Sequence, residues 1–109
     1  MKASMRSEIV DRVERSFGEQ CDFLLSLVSH RSLPGHEGSC QAFFAETCSN
    51  LGLEVELCEA SPETVSRHPA YIDTGVPYGG RPNVIARRKG KGADRSLILN
   101  GHADVVSVE

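Results

Sequence analysis

The sequence predicts an α/β fold, and three observations predict it. Two stretches carry apolar residues at spacings of three and four, one run alternates strictly between apolar and charged residues, and one continuous apolar run ends in a polar motif. Helical and strand periodicities in alternation are the pattern of helices laid against a sheet.

The first stretch places Val10, Val13, Phe17, Cys21, Leu24 and Val28 on one stripe, with Glu8, Asp11, Arg12, Glu14, Arg15 and Glu19 largely elsewhere on the wheel. This predicts one long amphipathic helix from about Ser7 to Ser29, roughly 33 Å long at 1.5 Å per residue. Its stripe is expected to pack on another helix. Gly18 in the interior weakens it by up to about 1 kcal/mol relative to alanine.

Pro34, Gly35 and Gly38 then break the pattern, so His30 to Gly38 reads as a loop. A second helix over about Glu37 to Asn50 carries Cys40, Phe43, Phe44, Thr47, Cys48 and Leu51 on one side, and Gly52 is placed to stop it in the left-handed conformation. Leu53-Glu54-Val55-Glu56-Leu57 alternates with period two and predicts a strand with one wet face. Ser61-Pro62-Glu63 carries an N-cap residue, proline at the first helical position and an acid in the first turn, predicting a short helix before His68-Pro69. Pro69 to Pro82 reads as irregular. Asn83 to Arg88 and Ser96 to Asn100 are expected to be two strands joined by a turn at Gly90-Lys91-Gly92-Ala93-Asp94. The uninterrupted Leu97-Ile98-Leu99 marks the second as a strand covered on both faces.

At 109 residues the chain is one small domain at most, large enough to bury roughly 65% of its unfolded surface if it closes a core. Composition is that of an ordinary globular chain, with 39% apolar residues, 25% charged residues and a formal charge of −3. Arg87-Arg88-Lys89-Gly90-Lys91 has no interleaved aromatics and reads as a solvated turn, so no nucleic-acid partner is expected. No segment reaches the roughly 20 apolar residues of a membrane span, and no signal-peptide core follows Met1-Lys2. No membrane partner is expected, and residence is expected to be cytoplasmic. Cys21, Cys40, Cys48 and Cys58 form no C-x-x-C pair, and the first three fall on helical apolar faces, so they read as small buried hydrophobes.

The chemistry concentrates in Asn100-Gly101-His102-Ala103-Asp104-Val105-Val106. If the backbone stays extended past Asn100, His102 and Asp104 project to the same side and share one site. A neutral imidazole is a common zinc ligand, and a neighbouring carboxylate that accepts its other ring N–H fixes the tautomer. Gly101 allows a close backbone approach or an unusual dihedral just before the ligand. Taken alone, the pair also fits a surface histidine beside a carboxylate.

In its context the motif resembles the first metal-ligand motif of the M20 family of zinc-dependent hydrolases, which includes acetylornithine deacetylase, succinyl-diaminopimelate desuccinylase, aminoacylase and carboxypeptidase G-type enzymes. Ser32-Leu33-Pro34-Gly35-His36-Glu37-Gly38 resembles the family's loop after its long first helix, and Arg81-Pro82-Asn83-Val84-Ile85-Ala86-Arg87 its strand before the metal-binding one. Ser107 departs from the proline that many members have there.

The resemblance implies a zinc-exopeptidase-like catalytic domain, a mixed sheet flanked by helices, of which residues 1–109 are the N-terminal part, with a dimerisation domain elsewhere in a homodimer. It implies that His102 ligates one of two zinc ions, with cobalt an acceptable replacement, and that Asp104 is the catalytic-site acid that orients that ligand. The implied reaction is hydrolysis of the amide of an N-acyl amino acid or small peptide, with a metal-bound water and a glutamate base. A dipeptidase or carboxypeptidase of the same family and a non-catalytic chain acting by association are the alternatives.

The family's bridging aspartate, glutamate pair and final histidine follow this motif and have no position here. The chain by itself is therefore expected neither to bind zinc tightly nor to turn over substrate, and to be of low stability with apolar strand exposed. His36 with Glu37, His68 and Asp73 carry less weight as site residues, and Tyr71, Tyr78 and Arg81 either line a substrate entrance or pack turns.

Overall fold

The computed structural model describes residues 4–92 and 95–108 and shows a small mixed domain of four helices and a two-stranded sheet. In order these are α1 (Met5–Arg15), α2 (Phe17–Ser29), α3 (Gly38–Asn50), β1 (Glu54–Cys58), α4 (Pro62–Val65) and β2 (Asn83–Arg87).

The long first helix expected from periodicity is two helices that meet at Ser16. The Val13 carbonyl accepts from the Ser16 hydroxyl at 3.2 Å and from the Gln20 side-chain amide at 3.1 Å. Side-chain donors at that carbonyl compete with the helical ladder, and such competition bends helices. The break falls at Ser16 rather than at Gly18. At the start of α1 the Ser4 hydroxyl accepts the Ser7 N–H, an ordinary N-cap.

The expected packing stripe is also corrected. Val10, Val13, Phe17, Leu24 and Val28 are exposed, and Cys21 is half-buried. The packed face of α2 is Phe23, Leu27 and His30, roughly a third of a turn around the helix at 100° per residue. Phe23 stacks on Phe43 of α3 with centroids 5.8 Å apart, and His30 lies 5.0 Å from the same ring. Paired aromatic rings gain attraction beyond the area they bury, so they select this face over the aliphatic stripe.

Helix α3 ends as its sequence requires. Gly52 has φ +75°, the Leu53 N–H bonds the Cys48 carbonyl and the Gly52 N–H bonds the Ser49 carbonyl. This is a complete Schellman stop. The chain turns directly into β1, where the expected alternation holds only in part: Leu53 just before the strand and Val55 within it are half-buried and Glu54 and Glu56 face water, but Leu57 is 56% exposed. Short α4 forms with Pro62 in its first turn, although the Ser61 hydroxyl bonds the Glu63 carboxylate at 2.6 Å instead of capping the backbone.

Strand β2 does not make the expected hairpin with Ser96 to Asn100. It pairs antiparallel with β1, Glu54 opposite Arg87 and Cys58 opposite Asn83, and a diagonal Arg87–Glu56 ion pair of 2.9 Å lies on the wet face. Residues 96–100 form no strand, and Leu97, Ile98 and Leu99 are 82%, 86% and 88% exposed. A continuous apolar run has no preferred face, so it settles as a strand only where layers cover both sides. The described residues supply no such layers. Of the turn assigned to residues 90–94, Ala93 and Asp94 lie outside the described residues.

The fold therefore closes only a small core. Among the described residues the buried apolar side chains are Cys40 and Cys48, joined by the polar Ser32 and Glu37. The radius of gyration is 17.6 Å, against about 13 Å for a compact domain of this length.

Two glycines should answer substitution in opposite ways. A Cβ on Gly38 would meet the Gly80 carbonyl oxygen at 2.8 Å, whereas one on Gly18 meets nothing within 4 Å. Gly38→Ala is expected to destabilise by about 1–3 kcal/mol, and Gly18→Ala to stabilise by up to about 1 kcal/mol. Thermal unfolding of both variants, followed by circular dichroism, checks the pair.

Candidate functional site

Loop 30–37, the stretch before β2 and the segment after Asn100 converge on a pocket of about 210 Å³. Its walls include Glu37, Tyr78, Arg81, His102, Ala103 and Asp104. Three distant parts of the sequence thus supply one polar cavity.

The network starts at Glu37. Its carboxylate accepts from Arg81 Nε at 2.8 Å and Nη2 at 2.7 Å, and from the Gly35 N–H at 3.0 Å. Both carboxylate oxygens are thereby engaged by the guanidinium fork. Glu37 is only 6% exposed. The Arg81 hydrogen bonds hold its pKa at about 2, overcoming the burial that pushes the other way, and Glu37 in turn raises Arg81. Arg81 Nη1 donates to the Pro77 carbonyl at 3.2 Å, which fixes the turn before β2.

The opposite end of the same loop grips the motif. The Ser32 hydroxyl donates to the Ala103 carbonyl at 2.7 Å, and the Ser32 carbonyl accepts the Val105 N–H at 3.0 Å. Ser32 is 3% exposed.

His102 and Asp104 are brought together as the extended spacing anticipates. His102 Nδ1 lies 3.1 Å from the Asp104 carbonyl oxygen and 3.3 Å from Asp104 Oδ1. Both neighbours are acceptors, so they favour the tautomer with the proton on Nδ1, which leaves the Nε2 lone pair for a ligand. The ring is 83% exposed. Gly101 needs no special conformation, because its φ is not positive and an added Cβ would meet nothing.

This donor set fits one position of a metal site. A catalytic zinc takes about three protein ligands with one position open, and His102 Nε2 is a single nitrogen donor. The described residues contain no cluster of three or more His, Cys, Asp or Glu side chains able to hold a metal ion. Glu37 is committed to Arg81.

The other candidates separate cleanly. Tyr78 and Arg81 line the pocket, but the Arg81 fork is occupied by Glu37, so it is not a free anchor for a substrate carboxylate. Tyr71 is half-buried, and burial together with Asp73 and Tyr78 raises its pKa. His68 Nδ1 accepts the Ala70 N–H, and Asp73 accepts the Gly75 N–H, both local turn contacts. His36 is exposed in a turn closed onto Leu33. Burial raises the Cys48 thiol, and Cys58 is exposed at the end of β1.

Sequence reasoning missed Ser32 as a contact and Arg81 as the partner of Glu37. Both lie in segments singled out for their resemblance, but no local pattern announces a bond across 71 or 44 residues.

The chain matches no family model, no curated protein and no solved structure. Among the described residues no helix is long and apolar enough to cross a membrane.

The lowered pKa of Glu37 sets a pH dependence. A carboxylate depressed from 4.5 to about 2 contributes stability that is complete above the unfolded value and is lost as pH falls from about 4.5 towards 2. Allowing for the partly exposed Arg81, the loss is expected to be about 2 kcal/mol. Glu37→Gln should flatten the stability profile over that window, as measured by urea unfolding at pH 2.5 to 6.

Proposed function

We propose that this chain is the N-terminal part of a metal-dependent hydrolase of the M20 type, acting in the cytoplasm as a homodimer on the amide bond of an N-acyl amino acid. The observation that supports it most is the His102–Asp104 pair: Nδ1 is turned to Asp104, so Nε2 opens outward at a polar pocket beneath the motif that resembles the family's first ligand.

His102 would hold one zinc of a two-zinc centre, with cobalt as a substitute, and Asp104 would fix the ring. When bound, the metal polarises the scissile carbonyl and lowers the pKa of its water. The chain's own contribution is positional. Asp104 accepts a hydrogen bond from Nδ1–H and so raises the basicity of the ligating nitrogen. The Glu37–Arg81 pair braces the pocket wall, and Arg81 also feels the charge of Asp104, so the three groups together leave one net negative charge beside the imidazole. That balance favours a cation at the pocket mouth.

A second reading, a non-catalytic chain that acts by association, draws support from the exposed Leu97, Ile98 and Leu99. The two differ in a single assay. Zinc-dependent hydrolysis by the full-length product is measured on acetylated and succinylated amino acids and on dipeptides, with bound metal counted in parallel. The hydrolase reading expects turnover that a chelator abolishes and zinc restores, with His102→Ala losing both activity and metal. Asp104→Asn should reduce metal affinity or activity by about 10–100-fold. Full activity and metal content in His102→Ala would refute it.

A further inference from the structure

We propose that Ser32 is the positioning residue of the His102 site: it aims Asp104, and through Asp104 the imidazole, by holding the peptide groups on both sides of that aspartate. The functional meaning of this inference rests on the hydrolase reading; its geometry does not.

Ser32 reaches the motif with two bonds that straddle one residue. Its hydroxyl donates to the carbonyl of Ala103, and its carbonyl accepts the N–H of Val105. In a parallel β-bridge to Asp104 the same carbonyl would accept the same N–H, and the residue's own N–H would bond Ala103. Here the hydroxyl stands in for that N–H. A single residue therefore makes both links of a bridge where neither segment is a strand.

The consequence passes to His102 through covalent geometry. The Val105 N–H and the Asp104 carbonyl belong to one planar trans peptide, in which they point in opposite directions. Fixing the N–H on Ser32 aims the carbonyl away from Ser32, and His102 Nδ1 lies 3.1 Å from that carbonyl oxygen. The bond to Ala103 fixes the preceding peptide, and the two together set the direction of the Asp104 side chain, whose Oδ1 is 3.3 Å from the same nitrogen. His102 has no other hydrogen-bond partner among the described residues. Its ring is exposed, so packing does not hold it, and its orientation depends on Asp104 alone.

Ser32 is itself held. It is buried, and the far end of its loop is tied by the Glu37 carboxylate to Gly35 and Arg81.

The test is nuclear magnetic resonance on the 109-residue chain, reading amide exchange at Val105 and the tautomer of the neutral His102 ring from long-range ¹H–¹⁵N correlations. In the wild type, Val105 is expected to exchange at least roughly ten-fold more slowly than Val106, and the Nδ1–H tautomer to dominate. Ser32→Ala should lower Val105 protection roughly five-fold and return the ring to the Nε2–H excess of an unconstrained histidine side chain. Ser32→Thr, which keeps the hydroxyl, should restore both.

Val105 exchanging as fast as Val106 in the wild type would overturn the proposal, even if Ser32→Ala does not fold. An unchanged tautomer in folded Ser32→Ala would overturn it too. A protected Val105 in a full-length protein without zinc-dependent hydrolysis would remove the enzyme reading and leave the clasp standing. The converse result would remove the clasp alone.

Discussion

The carboxylate of Glu37 stands where the loop after α2 becomes α3, and it is there that the fold around the site is tied together. Each of its oxygens meets one nitrogen of Arg81, and the Gly35 N–H fills a further lone pair. The pair joins residues 44 positions apart and brings the stretch before β2 against the first turn of α3, where Gly38 sits too close to the Gly80 carbonyl for any larger residue. A buried ion pair often adds little net stability over apolar packing, because desolvation offsets attraction; leaving one partner alone is what costs heavily. Its contribution here is geometric. With loop 32–37 pinned at Glu37, Ser32 is presented to residues 103–105, and the His102 segment has a fixed surface to lie against.

That arrangement explains how an otherwise open fold keeps an ordered polar site. The apolar core among the described residues is slight, Cys40 and Cys48 within α3 with the Phe23–Phe43 stack beside them. The apolar stripe of α1 and α2 and the run Leu97–Leu99 face water. Order around the pocket comes instead from directional bonds: the guanidinium fork, the Ser32 clasp and the contact of His102 with Asp104. The same bonds settle the pocket's electrostatics. Arg81 is neutralised where it sits, so a substrate carboxylate would need another partner, while the imidazole nitrogen remains free.

What could be read from the sequence was local. The Schellman stop at Gly52, the presence of a strand at β1, the start of α4 at Pro62 and the shared side of His102 and Asp104 all depend on neighbours within a few residues, where backbone sterics decide. The break at Ser16 was not legible from periodicity, since it arises from side-chain donors reaching the Val13 carbonyl. Nor was the packed face of α2, which follows ring stacking with α3 and not the largest count of apolar residues. The hairpin failed for a related reason: Asn83–Arg87 reads as a strand, but nothing within it states that Glu54–Cys58 is its partner. Ser32 and Arg81 belong to the same class, because a contact spanning dozens of residues leaves no spacing to read.

Glu37 and Arg81 act as one unit that holds the loop beneath the site. A double-mutant cycle with Glu37→Gln, Arg81→Met and the two combined, measured by urea unfolding at pH 7, isolates the coupling between them. The expected coupling is about 2 kcal/mol or more, with the double variant less destabilised than the sum of the single ones. Additive losses, with coupling within about 0.5 kcal/mol of zero, would contradict it.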